Sequence, residues 1–175
     1  FELANQLNTP YLERLAAAGV RPEDVDIVMC THLHVDHCGW NTQLKNGKWV
    51  PTFPKAKYIF SKQEFDMWNP AEADHVEIEI NQNVFNDSVL PVVEAGQAQM
   101  VNGEHQLNDN MLIKLAPGHT RGSIVMEVES KGHHALFAGD TLHSPIQILR
   151  PEWSSGFCLD PVQSGQTRRK LMEHC

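Results

Sequence analysis

Three imidazoles and a carboxylate stand within six residues of one another, at His32, His34, Asp36 and His37 in the stretch Thr31-His32-Leu33-His34-Val35-Asp36-His37-Cys38-Gly39. The apolar run before them, Ile27-Val28-Met29-Cys30, reads as a buried strand. A period of two then sends His32 and His34 out on the same side at its carboxyl end, where they can share one metal. Asp36 and His37 come where the chain must turn away, with Gly39 permitting the turn, so they can face a second metal. Solvated loop histidines are the alternative, since the chain carries 10 His. Borderline-soft divalent ions, however, take imidazole nitrogen and carboxylate oxygen from several close residues, and this constellation supplies both. A paired metal site is the expectation.

Two later positions extend it. His119 lies in Ala116-Pro117-Gly118-His119-Thr120-Arg121-Gly122-Ser123, just past an expected strand over 111–116, and Asp140 ends Leu136-Phe137-Ala138-Gly139-Asp140 in the same fashion. A lone Gly-His or Gly-Asp carries no weight, but the end of a strand is where a rigid scaffold presents ligands.

The stretch around His32 resembles the HxHxDH signature of the metallo-β-lactamase superfamily, and the resemblance runs on through the His119 and Asp140 segments in the superfamily's order. The spacing is similar to the branch of N-acyl-homoserine-lactone lactonases and methyl-parathion-hydrolase-like phosphotriesterases. The resemblance implies an α/β fold, the αββα sandwich, with metals at the edge between two sheets. It implies that His32, His34 and His119 hold one ion, that Asp36 and His37 contribute to a second, and that Asp140 bridges the two. A hydroxide between two dications is a nucleophile at neutral pH, because bound water has its pKa lowered to ~7. Asp36 would be the catalytic residue, orienting that hydroxide or protonating the leaving oxygen. Two divalent ions are implied, zinc first, with manganese, iron or cobalt also fitting such ligands. True β-lactamases usually place Cys or Ser where Asp140 stands, so an ester, lactone or phosphotriester is the expected substrate, a small molecule in each case. The superfamily's second metal usually takes one further His well past the bridging Asp. His174 is the late candidate here, with a surface or capping His in an amphipathic helix as its alternative.

Composition sets bounds on this reading. A chain of 175 residues with 41% hydrophobic content suits one globular domain over 1–175. Acidic residues outnumber basic ones by 22 to 14, a formal charge of −8 that argues against a nucleic-acid surface. No run approaches the ~18 apolar residues of a membrane span, so a soluble protein is expected. Cys30, Cys38, Cys158 and Cys175 form no CxxC pair and no disulfide framework. The chain opens on Phe1 and ends on Cys175 in what reads as mid-helix, so a fragment is expected, and the resemblance implies N-terminal strands and a C-terminal end that this sequence lacks. Compartment is open, with the cytoplasm as default, and oligomeric state is open as well.

The elements that must position these residues follow in order. Thr9 and Pro10 start a helix with Leu12, Leu15 and Ala16 on its apolar face, ended by Gly19. Residues 40–54, with Asn46-Gly47, suit a hairpin or an exposed loop. Lys57 to Phe60 reads as a strand, and Ser61 with Glu64 as a capping box opening a helix with Phe65 and Trp68 toward the core. Residues 70–96 read as one or two helices, either a lid or plain core packing. Short strands follow over 99–101, 111–116, 124–128 and 135–138, and Asp160-Pro161 starts a last helix. His143 is a candidate for the metal surroundings or the substrate. His75, His105, His133 and His134 read as loop residues. Ile146, Ile148, Trp153 and Phe157 either wall an apolar pocket or pack ordinarily.

Two other functions compete. One is thioester hydrolysis like that of glyoxalase II, whose basic glutathione-binding region is not found here. The other is a truncated domain that keeps metal for structure alone.

Overall fold

A computed structural model describes residues 9–173, so the His174 candidate lies outside the described residues. The described chain divides into two compact units, one of residues 9–29, 34–59 and 77–99, the other of residues 30–33, 60–76 and 100–173.

The first unit opens with α1 (Tyr11–Ala17), one residue later than expected: Pro10 occupies the N-cap position and no side chain caps the helix. Strand β1 (Ile27–Met29) pairs in parallel with β4 (Lys57–Ser61), Val28 opposite Tyr58. With β5 (Ala98–Val101) these form a three-stranded sheet in the order β1-β4-β5. The short helix α2 (Val35–Cys38) follows β1 directly. A hairpin of β2 (Thr42–Lys45) and β3 (Lys48–Pro51) turns at Asn46-Gly47, both with positive φ, as the Asn-Gly dipeptide predicts. Beneath them the fully buried Tyr58 hydroxyl accepts from the Phe53 N–H and donates to the Asn41 carbonyl, each at 3.0 Å. Residues 79–81 and 84–94 are helical, ending in α4 (Leu90–Glu94), and the stretch buries Val84, Phe85, Val89 and Val92. Core packing is therefore its role within this unit.

The second unit carries a four-stranded antiparallel sheet, β6 (His105–Asn108), β7 (Met111–Leu115), β8 (Ile124–Ser130) and β9 (His133–Phe137), paired in that order. Strand β6 was not expected, and His133 and His134 lie in β9, so three of the expected loop histidines stand on strands. His133 and His134 are both exposed and His105 is half-buried, so these strands keep their polar side chains at least partly in water. The buried apolar residues of this unit include Ile113, Ile124 and Val125 on the sheet, with Leu33, Phe60, Met67 and Trp68. Helix α3 (Lys62–Trp68) begins as expected at Ser61, whose hydroxyl accepts from the Glu64 N–H. The short helix α5 (Ile146–Leu149) leads to α6 (Pro161–Met172). The Asp160 carboxylate caps α6 by accepting from the Gln163 N–H at 2.9 Å. Ile146, Ile148, Trp153 and Phe157 are all exposed, so ordinary core packing is not their role.

Candidate metal centre

Three segments of the second unit converge on one point. His32 follows the end of β1, and its segment is held to the four-stranded sheet by the Thr31 carbonyl, which accepts from the Ile124 N–H at 2.8 Å. His119 sits in the turn between β7 and β8. That turn is closed by the Gly118 N–H to the Thr120 carbonyl, and Leu159 N–H donates to the His119 carbonyl. Gly118 has a φ of +131°, and a Cβ there would meet the Ser164 amide nitrogen at 2.2 Å. Only glycine allows this approach of the turn to the start of α6. Asp140 lies in the single 3-10 turn Gly139–Thr141 after β9.

The donor atoms form a chain. His32 Nε2 is 3.2 Å from His119 Nε2, His119 Nε2 is 3.4 Å from Asp140 Oδ2, and Asp140 Oδ2 is 3.3 Å from His143 Nε2. Ligands on a tetrahedral ion at about 2.0–2.1 Å stand about 3.3 Å apart, so these spacings fit donors around a divalent ion. The other ring nitrogens have partners: His32 Nδ1 lies 3.2 Å from Thr31 Oγ1, and His119 Nδ1 lies 3.7 Å from Cys158 Sγ. A histidine that binds metal through one nitrogen is commonly oriented through the other in this way. His32 and His119 are 1% and 2% exposed, whereas the Asp140 and His143 side chains are 25% and 21% exposed. The cluster is therefore dry on its histidine side and open to a small molecule on its Asp140 side. His119, His143 and Cys158 also form a candidate metal-holding group, their donor atoms all within 4.8 Å.

His34, Asp36 and His37 belong to the first unit. His34 is the N-cap residue of α2, and its carbonyl accepts from the Cys38 thiol at 3.3 Å. His37 Nε2 lies 3.6 Å from the largely exposed Asp36 carboxylate. Cys38 is buried, in agreement with a structural role.

Sequence reasoning missed three residues around this cluster. Cys158 carries no local signal, being 39 residues from His119. Arg168, on the last helix and not singled out by the sequence, is fully buried. Glu64, read as half of a capping box, turns its carboxylate inward instead of back to the Ser61 N–H. In each case partners lie on distant segments as well as nearby ones, and spacing along one element cannot reveal those.

A family profile described as the Metallo-beta-lactamase superfamily matches residues 4–172. Among solved structures, the chain is similar to AbOPH, a hydrolase in the beta lactamase superfamily, with 29% identity and a TM-score of 0.77 over 94% of this chain and 58% of that one. It is similar in fold to AidC, a dizinc quorum-quenching lactonase, with 24% identity and a TM-score of 0.76 over 99% and 61% of the two chains. A probable metal-dependent hydrolase from Staphylococcus aureus matches with 19% identity and a TM-score of 0.73 over 97% and 57%. The chain thus spans about three-fifths of the length of these structures. With the profile covering nearly every residue, the chain belongs to the metallo-β-lactamase superfamily.

Proposed function

We propose that the protein is a metal-dependent hydrolase, a single catalytic domain that cleaves an ester, lactone or phosphotriester bond in a small molecule. The observation that carries this reading is the run of donor atoms His32, His119, Asp140 and His143, 3.2 to 3.4 Å apart and drawn from three segments. The 29% identity to a hydrolase of the same superfamily supports it. In this proposal His32, His34 and His119 hold one divalent ion, Asp36 and His37 contribute to a second, and Asp140 serves both. Zinc suits the donor set best, with manganese, iron or cobalt also compatible.

When bound, the ions would supply an activated water at neutral pH and a Lewis acid for the carbonyl or phosphoryl oxygen. The chain's own residues do the rest. Thr31 and Cys158 hold the rings of His32 and His119 at their Nδ1 atoms. Asp36, beside His37, would orient the attacking water or pass a proton to the leaving oxygen. Burial of the two imidazoles keeps bulk water from that side of the reacting bond.

The test is an elemental analysis of the purified protein followed by assays on a lactone, a phosphotriester and S-lactoylglutathione, before and after chelation. Turnover of the lactone or phosphotriester should fall at least about a hundredfold on metal removal and return with zinc. Hydrolysis that persisted in the stripped protein, or in Asp36→Asn, would overturn the reading. Turnover of the thioester alone would reassign the substrate.

A further inference from the structure

The second unit holds a buried carboxylate that the proposed chemistry does not use. Glu64, in the first turn of α3, is 1% exposed. Its Oε1 accepts from the Leu33 N–H at 2.9 Å and from the Trp68 indole N–H at 2.7 Å. Its Oε2 accepts from the Thr120 hydroxyl at 2.6 Å and from the Gly122 N–H at 3.1 Å. Leu33 directly follows His32, and Thr120 directly follows His119. One rigid group therefore fixes the two backbone segments whose imidazoles meet at 3.2 Å. The approach is close on the helix side too: a Cβ on Gly122 would stand 2.0 Å from the Glu64 amide nitrogen.

Four donors on two oxygens leave no lone-pair position for a proton or for a metal, so Glu64 is not itself a ligand. Burial pushes its carboxyl above the usual range, and the four donors pull it back. A buried carboxylate is retained at such cost where its geometry matters, and a tie between two ligand-bearing turns is a geometric task.

We propose that Glu64 is a positioning residue for the metal centre, setting the separation of His32 and His119 by accepting hydrogen bonds from both of their backbone segments. This rests on the reading of His32 and His119 as ligands. Glu64→Gln keeps the shape but turns one oxygen into a donor. The Thr120 hydroxyl can rotate to accept from the new amide, whereas the Gly122, Leu33 and Trp68 N–H groups cannot. The amide nitrogen therefore goes to the Thr120 side, the Gly122 N–H loses its acceptor, and the turn carrying His119 shifts.

The experiment compares wild type, Glu64→Gln, Thr120→Val and Thr120→Ser by zinc affinity and by the d–d absorption spectrum of the cobalt-loaded protein. Ile113→Ala, in the core of the same unit, controls for lost stability. Zinc affinity should fall about 10- to 100-fold in Glu64→Gln and about tenfold in Thr120→Val, with altered cobalt spectra. Thr120→Ser, which keeps the hydroxyl, should match wild type, as should Ile113→Ala despite its lower melting temperature. Should Glu64→Gln fail to fold, the Thr120 pair decides the matter. Wild-type affinity and spectrum in Glu64→Gln and Thr120→Val would overturn the proposal, as would an equal loss in Ile113→Ala. A wild-type protein that binds neither zinc nor cobalt would overturn the metal reading itself, and this proposal with it.

Discussion

Replacing His119 by alanine is expected to abolish stoichiometric zinc binding and to lower hydrolysis at least about a thousandfold, while the protein stays folded. His119 Nε2 is the junction of the cluster, 3.2 Å from His32 Nε2 and 3.4 Å from Asp140 Oδ2. Its removal leaves the buried His32 ring and the Asp140 carboxylate without the donor that lies against both. A metal's stabilisation of transition-state charge is worth several kcal/mol, and each ~1.4 kcal/mol is tenfold in rate, which gives the thousandfold figure. The fold should survive, because the turn is also held by the Gly118 N–H to Thr120 carbonyl bond and by Leu159 and Asp160, whose N–H groups donate to the His119 and Gly118 carbonyls. Cys158→Ala is the contrasting case. It removes the partner at Nδ1, so zinc affinity should drop about tenfold, the scale of outer hydrogen bonds to metal ligands. Zinc content by elemental analysis, circular dichroism and turnover decide the point. Zinc should raise the melting temperature of wild type and leave that of His119→Ala unmoved. If His119→Ala held its zinc at wild-type stoichiometry, the assignment of this ring as a ligand would be wrong.

The ligand candidates were legible because their signals are local. An apolar strand followed by His or Asp at a turn is a pattern of a few residues, and the structure brings His32, His119 and Asp140 together although 87 residues separate the first two. The strands β1 and β4, the hairpin at Asn46-Gly47 and the Asp160 cap of α6 were legible for the same reason. What holds these candidates in place was not legible. Ser61 and Glu64 have the spacing of a capping box, and that spacing is the same whether the carboxylate turns back to its own helix or inward. The choice is made by donors 31, 56 and 58 residues away. Strand β6 escaped notice because His105–Asn108 is short and polar, and its strand character comes from pairing with β7.

Arg168 gives the second large effect: Arg168→Met should destabilise the protein by about 3 kcal/mol. As a residue on the solvated face of α6 its replacement would cost within about 0.5 kcal/mol. Instead its side chain is fully buried, and the guanidinium spreads over four neutral oxygens. Nε donates to the Thr141 carbonyl at 2.8 Å, Nη1 to the carbonyls of Pro151 and Trp153, and Nη2 to the Ser164 hydroxyl at 3.1 Å. Burial lowers its pKa from the ordinary arginine value, the mark of a charge kept from water. Hydrogen bonds to a charged group contribute about 1.5–3 kcal/mol each, and taking the ion from water costs several kcal/mol in return. Methionine removes both terms but takes the donor from the Thr141 and Pro151 carbonyls at about 1–3 kcal/mol each, while Trp153 keeps the Gln147 amide and Ser164 the Cys158 thiol, which sets the net loss. For a chain of this length that is a fall in melting temperature of about 6–12 °C. Lysine should not rescue it, because three donors on one nitrogen cannot reach acceptors on four separated residues as the planar fork does. The consequence reaches the metal centre through Thr141, the residue after Asp140: with its carbonyl released, the turn carrying that carboxylate loosens, so zinc affinity should fall in Arg168→Met as well. Urea unfolding of the metal-free and zinc-loaded proteins separates the two effects. An unchanged midpoint in Arg168→Met would show that the guanidinium does not hold these segments together.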